Sequence, residues 1–289
     1  MLKKLFTGSL AITLLLLFSM QTLSSAKDAN SIQIKGSDTM VNLVQGWAEE
    51  FMKKNPEALL AVTGGGSGTG ISALIGGTCD IAMSSRSVKP KEIELARNQS
   101  VEPREYRVGI DGLAVVVNMK NPVSKLTLDQ VKDIFTGKIT NWKELGGADL
   151  KIVLLSREMN SGTHVYFKEH VLRKGDPKSR EEFSPDALLL PSSQAIADEI
   201  LQNTGAIGYY GMGYIGKDHK AIAIAKDSAS EYIAPTVDHV ASGHYLISRP
   251  LFNYTNGKPG GKIEQFLNFM LSPEGQAIVE KMDFVPIQR

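Results

Sequence analysis

The chain has 289 residues, 42% hydrophobic and 22% charged, with a formal charge of +1 and one cysteine, Cys79. That is apolar material for one large or two medium cores, with no basic excess that would point to nucleic acid. A single cysteine excludes an internal disulfide, and five histidines without HExxH spacing or cysteine companions give no metal site, so packing must supply the stability and no cofactor is expected.

Residues 1–26 read as a secretory leader. Lys3 and Lys4 precede an apolar run over residues 10–18, and Ser24, Ser25 and Ala26 are small residues of the kind a signal peptidase cuts. Cleavage after Ala26 takes the formal charge from +1 to −1. Residues 5–23 would just reach the roughly 20 residues of a membrane anchor, but Thr7, Gly8, Ser9, Thr13, Ser19, Gln21 and Thr22 dilute them. No cysteine stands at the cut, which excludes lipid attachment there.

Next, residues 31–35 alternate apolar and polar side chains as a strand does. Met40, Leu43, Val44, Trp47 and Phe51 then recur at helical spacing until Asn55-Pro56 stops them. Residues 59–62 predict a strand, Ile71, Leu74 and Ile75 a helix ended by Gly76-Gly77, and residues 80–83 a short strand. The run LAVVV at 113–117 reads as a strand covered on both faces. A strand over 151–155 leads through SREMNSGTH into a helix over 165–172, and 174–185 is a charged surface loop. A helix over 195–201, a strand in GAIGYY and two amphipathic helices over 263–271 and 273–281 follow. Alternating strands and helices predict an α/β fold with parallel strands.

Three turns share one grammar, a strand followed by small and hydroxyl residues and then a helix. They are Gly36-Ser37-Asp38-Thr39, residues 64–70, and Asn160-Ser161-Gly162-Thr163. Residues 63–71, TGGGSGTGI, hold five glycines and three hydroxyl side chains, and glycine is favoured where backbone bends sharply or approaches something closely. Helix starts carry unpartnered N–H groups and partial positive charge, and hydroxyls add rotatable donors. Singly, each turn reads as an ordinary N-cap; three in one chain point to a converging oxyanion site. Arg86 and Arg157 stand at the carboxyl ends of predicted strands, where crevices of α/β sheets lie, and guanidinium matches tetrahedral oxyanions. Arg157 beside Glu158 also reads as a surface ion pair.

Other chemistries fail on spacing. A nucleophile elbow would need glycine at 69, where Thr69 stands. GKIT and GKDH do not complete a P-loop. Gly211, Gly213 and Gly216 satisfy GxGxxG, but KDHKAIAIA lacks the helix that receives a pyrophosphate, so they read as turn glycines.

In IKGSDTMVNLVQGWAEEF, GGGSGTGISALIGGTCDIAMSSR, FTGKITNWKEL, SREMNSGTHVYF and GAIGYYGMGY the chain resembles the periplasmic phosphate-binding proteins of high-affinity phosphate ABC transporters, in that family's order and spacing. The resemblance implies a type II two-lobe periplasmic-binding-protein fold with its ligand cleft between lobes. Lobe I would comprise 27–110 and 240–289, and lobe II 111–239, with crossings near Ile110 and His239. It also implies a monomeric periplasmic protein, no enzyme, that captures inorganic phosphate and delivers it to an inner-membrane ABC permease. Position by position, Thr39 and Met40, then Ser67, then Ser161, Gly162 and Thr163 would bind phosphate. Arg157 would be the charged donor, and the glycines would let main-chain N–H groups reach a dehydrated ion.

The best-known members place an aspartate after the third strand; it accepts the phosphate proton and so rejects sulfate. Here Ser85 stands there with Arg86 beside it, which keeps other oxyanions open: sulfate, molybdate or a phosphonate. Asp111 is the candidate substitute, accepting the proton and balancing Arg86; it reads equally as a turn aspartate before Gly112. An enzymatic alternative, a phosphatase using Ser67 or Ser161, needs a neighbouring base, and His164 is the histidine nearby.

Overall fold

The structure is a computed structural model that describes residues 31–287, so the expected leader lies outside the described residues. β1 (Ser31–Gly36) leads through a 3-10 turn, Asp38–Met40, into α1 (Val41–Lys54). Leu43, Val44, Trp47 and Phe51 of α1 share its buried face, as their spacing requires. β2 (Leu59–Thr63), α2 (Ser67–Ile75) and β3 (Ile81–Ser84) follow, then α3 (Pro90–Asn98), which opens on a proline, and the sixteen-residue β4 (Pro103–Asn118). The middle of the chain forms β5 (Lys125–Thr127), α4 (Leu128–Phe135), β6 (Val153–Arg157), α5 (Gly162–Phe167), β7 (Leu188–Leu190), α6 (Ser193–Gln202), β8 (Ala206–Gly211), β9 (His219–Ala221), β10 (Ala223–Ala225) and α7 (Val237–Ala241). The helix expected to run to 172 is α5, continued from Lys168 to Leu172 as a π turn. The GxGxxG segment is a 3-10 turn running on to β9. β11 (Ser248–Asn256), α8 (Gly261–Leu271) and α9 (Pro273–Lys281) complete the chain.

The strands run in the order β2, β1, β3, β11, β4, β8, β6, β7, with β9 also on β4. β1 is parallel to β2 and β3, and β6 is parallel to β7 and β8, but β11 is antiparallel to β3 and β4, and β4 to β8. The sheet is therefore mixed and not purely parallel. The reason is connectivity: the chain passes outward between two cores along β4 and returns along β11, so the two strands oppose each other.

One core gathers Ile32, Ile34, Trp47, Phe51, Ile81, Phe266 and Phe284; the other gathers Leu113, Val115, Val117, Phe135, Trp142, Phe167 and Tyr209. LAVVV is fully buried, each residue at 0% exposure. Val240, Tyr245 and Ile247, which the sequence groups with the first lobe, pack in the second core. Between the cores, Asp111 of β4 lies directly across from Arg249 of β11. A cross-strand pair of this kind puts both side chains on one face, about 5 Å apart at Cβ.

Candidate functional site

The three turns meet at this crossing. The Thr39 and Thr163 hydroxyls are 2.9 Å apart, the Ser67 and Ser85 hydroxyls 3.3 Å, and the Ser85 N–H donates to Ser67 Oγ at 3.0 Å. Thr39, Ser67, Ser85, Ser161 and Thr163 are all buried. Ser161 caps α5 by accepting from the Thr163 and His164 N–H groups. Gly162, first residue of that helix, has an N–H with no intrahelical acceptor. A Cβ on Gly162 would collide with the Ser67 and Ser85 hydroxyls. Gly162→Ala is therefore expected to weaken anion binding at least about tenfold by calorimetry and to lower the ligand-free melting temperature, because the added methyl group must displace two buried hydroxyls.

The charged groups differ from expectation. Arg157 lies 1% exposed, not in a surface pair with Glu158. Its Nη1 donates to Asp38 Oδ2 (3.1 Å) and Ser193 Oγ (3.0 Å), its Nε to the Leu190 carbonyl and its Nη2 to the Pro191 carbonyl. Arg86 donates both guanidinium ends to Glu92, at 2.8 and 2.7 Å. Asp111 therefore does not balance Arg86; register gives it Arg249 instead. Asp111 Oδ2 accepts from Arg249 Nε at 3.0 Å and Nη2 at 2.8 Å, and Oδ1 accepts from the Met212 N–H at 3.2 Å. Arg249 Nη2 also reaches Thr163 Oγ1 at 2.9 Å and Thr39 Oγ1 at 3.3 Å. Its Nη1 is buried with no hydrogen-bond partner among the described residues. Burial pushes the Asp111 carboxyl above the usual carboxylate range, against the pull of Arg249 and the Met212 N–H.

Two backbone expectations also change. The Met40 N–H donates to the Ser37 carbonyl within the 3-10 turn. The Gly66 N–H goes to the Gly36 carbonyl, and the Gly68 N–H reaches the Asn160 carbonyl at 3.0 Å. Gly66, at φ +95°, leaves no room for a Cβ against that same carbonyl. These glycines thus bring the loop before α2 against the turn before α5. Asn160 returns the contact, its Nδ2 donating to the Gly65 carbonyl and to Thr69 Oγ1.

Beside the hydroxyl cluster lies a cavity of about 380 Å³ whose walls include Ser85, Arg86, Lys89, Tyr166, His170 and Arg249. The Arg249 guanidinium lies 5.6 Å from the Tyr166 ring centre. His164 turns its ring to Ser156, Nδ1 to Oγ 3.3 Å, and burial, with Lys168 nearby, lowers its pKa to about 4. No helix of the described residues is long and apolar enough to cross a membrane.

An α/β body on one mixed sheet, with helix-start hydroxyls meeting at the strand crossing, has the form of a cleft-type solute binder. Residues 22–274 match the PBP superfamily domain, and the chain belongs to that superfamily. It has the two-lobe periplasmic-binding-protein fold. Among curated relatives, the phosphate-binding protein PstS of Bacillus subtilis is 35% identical over 90% of this chain and 82% of its own, and PstS of Pseudomonas aeruginosa is 32% identical over 87% and 81%. A putative phosphate ABC transporter substrate-binding protein from Clostridium perfringens, solved with bound phosphate, superposes with a TM-score of 0.80 at 33% identity, covering 90% of this chain and all of that one.

Proposed function

We propose that this chain is an exported substrate-binding protein that captures inorganic phosphate between its lobes and delivers it to an ABC permease. Its lobes hinge where β4 and β11 cross. One observation carries the reading: among the described residues a buried guanidinium nitrogen, Arg249 Nη1, lacks a partner beside the converging hydroxyls of Thr39, Ser67, Ser85 and Thr163. Buried donors without acceptors cost about 1–3 kcal/mol each, more for charged groups, so this nitrogen is suited to an acceptor-rich ligand.

The geometry supports binding without chemistry. Ser161 Oγ is committed to capping, the His164 ring faces Ser156, and the Ser67 hydroxyl is bonded to Ser85, so His164 is not placed as a base for either serine. The relatives' names, and the phosphate bound in the C. perfringens structure, support the choice of anion. In this reading Ser85 is a donor to the ion, and Asp111 supplies the acceptor that the best-known relatives place at the position of Ser85.

Thermal unfolding across a panel of phosphate, sulfate, molybdate and methylphosphonate tests it. A ligand held by the native state adds RT ln(1 + [L]/Kd), about 2.7 kcal/mol at a hundredfold excess over Kd, which is a rise in Tm on the order of 5–10 °C for a chain of this size. Phosphate is expected to give the largest rise. No rise with phosphate, or a larger one with another anion, would overturn the assignment.

A further inference from the structure

Asp38 belongs by sequence to the first lobe, yet its carboxylate and its carbonyl both accept from residues of the second. Its Oδ2 accepts the Ser193 N–H at 2.6 Å and Arg157 Nη1 at 3.1 Å, and its backbone carbonyl accepts the Tyr214 hydroxyl at 2.8 Å. Ser193 opens the ten-residue α6, so the carboxylate stands at the positive end of a helix. Arg157 is anchored on its own side by Leu190, Pro191 and Ser193. The socket is therefore complete within the second lobe, and separating the lobes withdraws one carboxylate from it. The contact is sheltered, with side-chain exposures of 2% for Arg157 and 15% for Asp38. It is thereby less screened than the contacts of Asn160 with Gly65 and Thr69, which are exposed.

We propose that Asp38 is a closure latch, a positioning residue whose carboxylate plugs the Arg157–Ser193 socket, sets the closed population and thereby limits release of the anion. The same contact occupies both Nη1 hydrogens of Arg157, on Asp38 and Ser193, while Arg249 faces the hydroxyl cluster. Breaking the latch leaves the open form's encounter with the ion unchanged, so the effect falls on dissociation, and apparent affinity falls with the fraction of molecules able to close.

The proposal rests on phosphate being the ligand, and its test has one arm that does not. In stopped-flow measurements with phosphate, Asp38→Asn is expected to raise the off-rate about 10–100-fold without lowering the on-rate. Tyr214→Phe removes only the neutral bond to the Asp38 carbonyl and is expected to shift the off-rate in the same direction by less, which covers the case in which Asp38→Asn fails to fold. In small-angle scattering without any anion, both variants are expected to have a larger radius of gyration than the parent. An unchanged off-rate in both variants, or a loss carried by the on-rate, overturns the latch. If the parent does not bind phosphate, the functional assignment fails by itself, and the anion-free scattering still decides: equal radii overturn the latch, and larger radii in the variants support it.

Discussion

Arg249→Met is expected to abolish high-affinity phosphate binding and to destabilise the ligand-free protein. Two separate effects produce this. The first is direct: Arg249 contributes Nη2, already on Thr39 and Thr163, and the partnerless Nη1. Charge-assisted bonds are worth about 1.5–3 kcal/mol each, so losing two of them lowers affinity by roughly 10²–10⁴. The second is the fate of Asp111. It is fully buried and takes both Arg249 bonds on Oδ2, and a buried charge stripped of its partner typically costs about 3–5 kcal/mol. Calorimetry and chemical denaturation read the two separately. Arg249→Lys keeps the charge but not the fork, so it is expected to recover much of the stability while leaving affinity well below the parent. If Arg249→Met binds phosphate as the parent does, the site lies elsewhere and Arg249 is a structural counter-ion.

Most of what frames this site was legible because it is local. The alternation before residue 36, the helical spacing from Met40 to Phe51 and the uninterrupted apolar run at 113–117 each specify an element through contacts within a few residues. The hydroxyl turns were legible for the same reason, since helix starts select small polar residues, and the structure brings Thr39, Ser67, Gly162 and Thr163 together. Arg249 was not legible. Its strand contains Pro250, which ordinarily argues against a central strand. Pro250 is tolerated because β3 pairs with β11 only over Phe252–Tyr254, leaving the strand unpaired on that side at Pro250. A hint was available in ISRPLF, where an arginine lies in step with Ile247 and Leu251 as if facing inward with them. Its partner is 138 residues away, beyond any local pattern. The same limit misassigned Arg157: sequence proximity suggested Glu158, whereas the fold supplies Asp38. Arg86, expected to be balanced by Asp111 at the lobe crossing, instead pairs with Glu92 six residues on. Ion pairs at a strand crossing are chosen by register, and register is a property of the assembled sheet.

Register also places the proposed acceptor, and Asp111→Asn is expected to erase discrimination between phosphate and sulfate. Arg249 occupies Oδ2 twice and the Met212 N–H occupies Oδ1 once. A carboxylate has about four lone-pair sites, so one on Oδ1 is left for a ligand O–H. Burial raises the carboxyl's basicity, which strengthens it as an acceptor. Hydrogen phosphate has a proton to give; sulfate at the same pH has none and would set lone pairs against lone pairs, a penalty of the several-kcal/mol kind that unpaired buried polar groups carry. Asparagine removes the negative charge and can present an N–H, so sulfate gains while phosphate loses its acceptor. Absolute affinities will also move because Arg249 loses its counter-ion, which strengthens any dianion, but that change is common to both ligands and cancels in their ratio. The phosphate-to-sulfate ratio of dissociation constants, measured by calorimetry at one pH, is therefore the diagnostic quantity, and it is expected to shift toward sulfate by about 100-fold. A ratio within twofold of the parent's would leave Asp111 with a single role, holding Arg249 in place, and would require selectivity to come from the hydroxyl donors themselves.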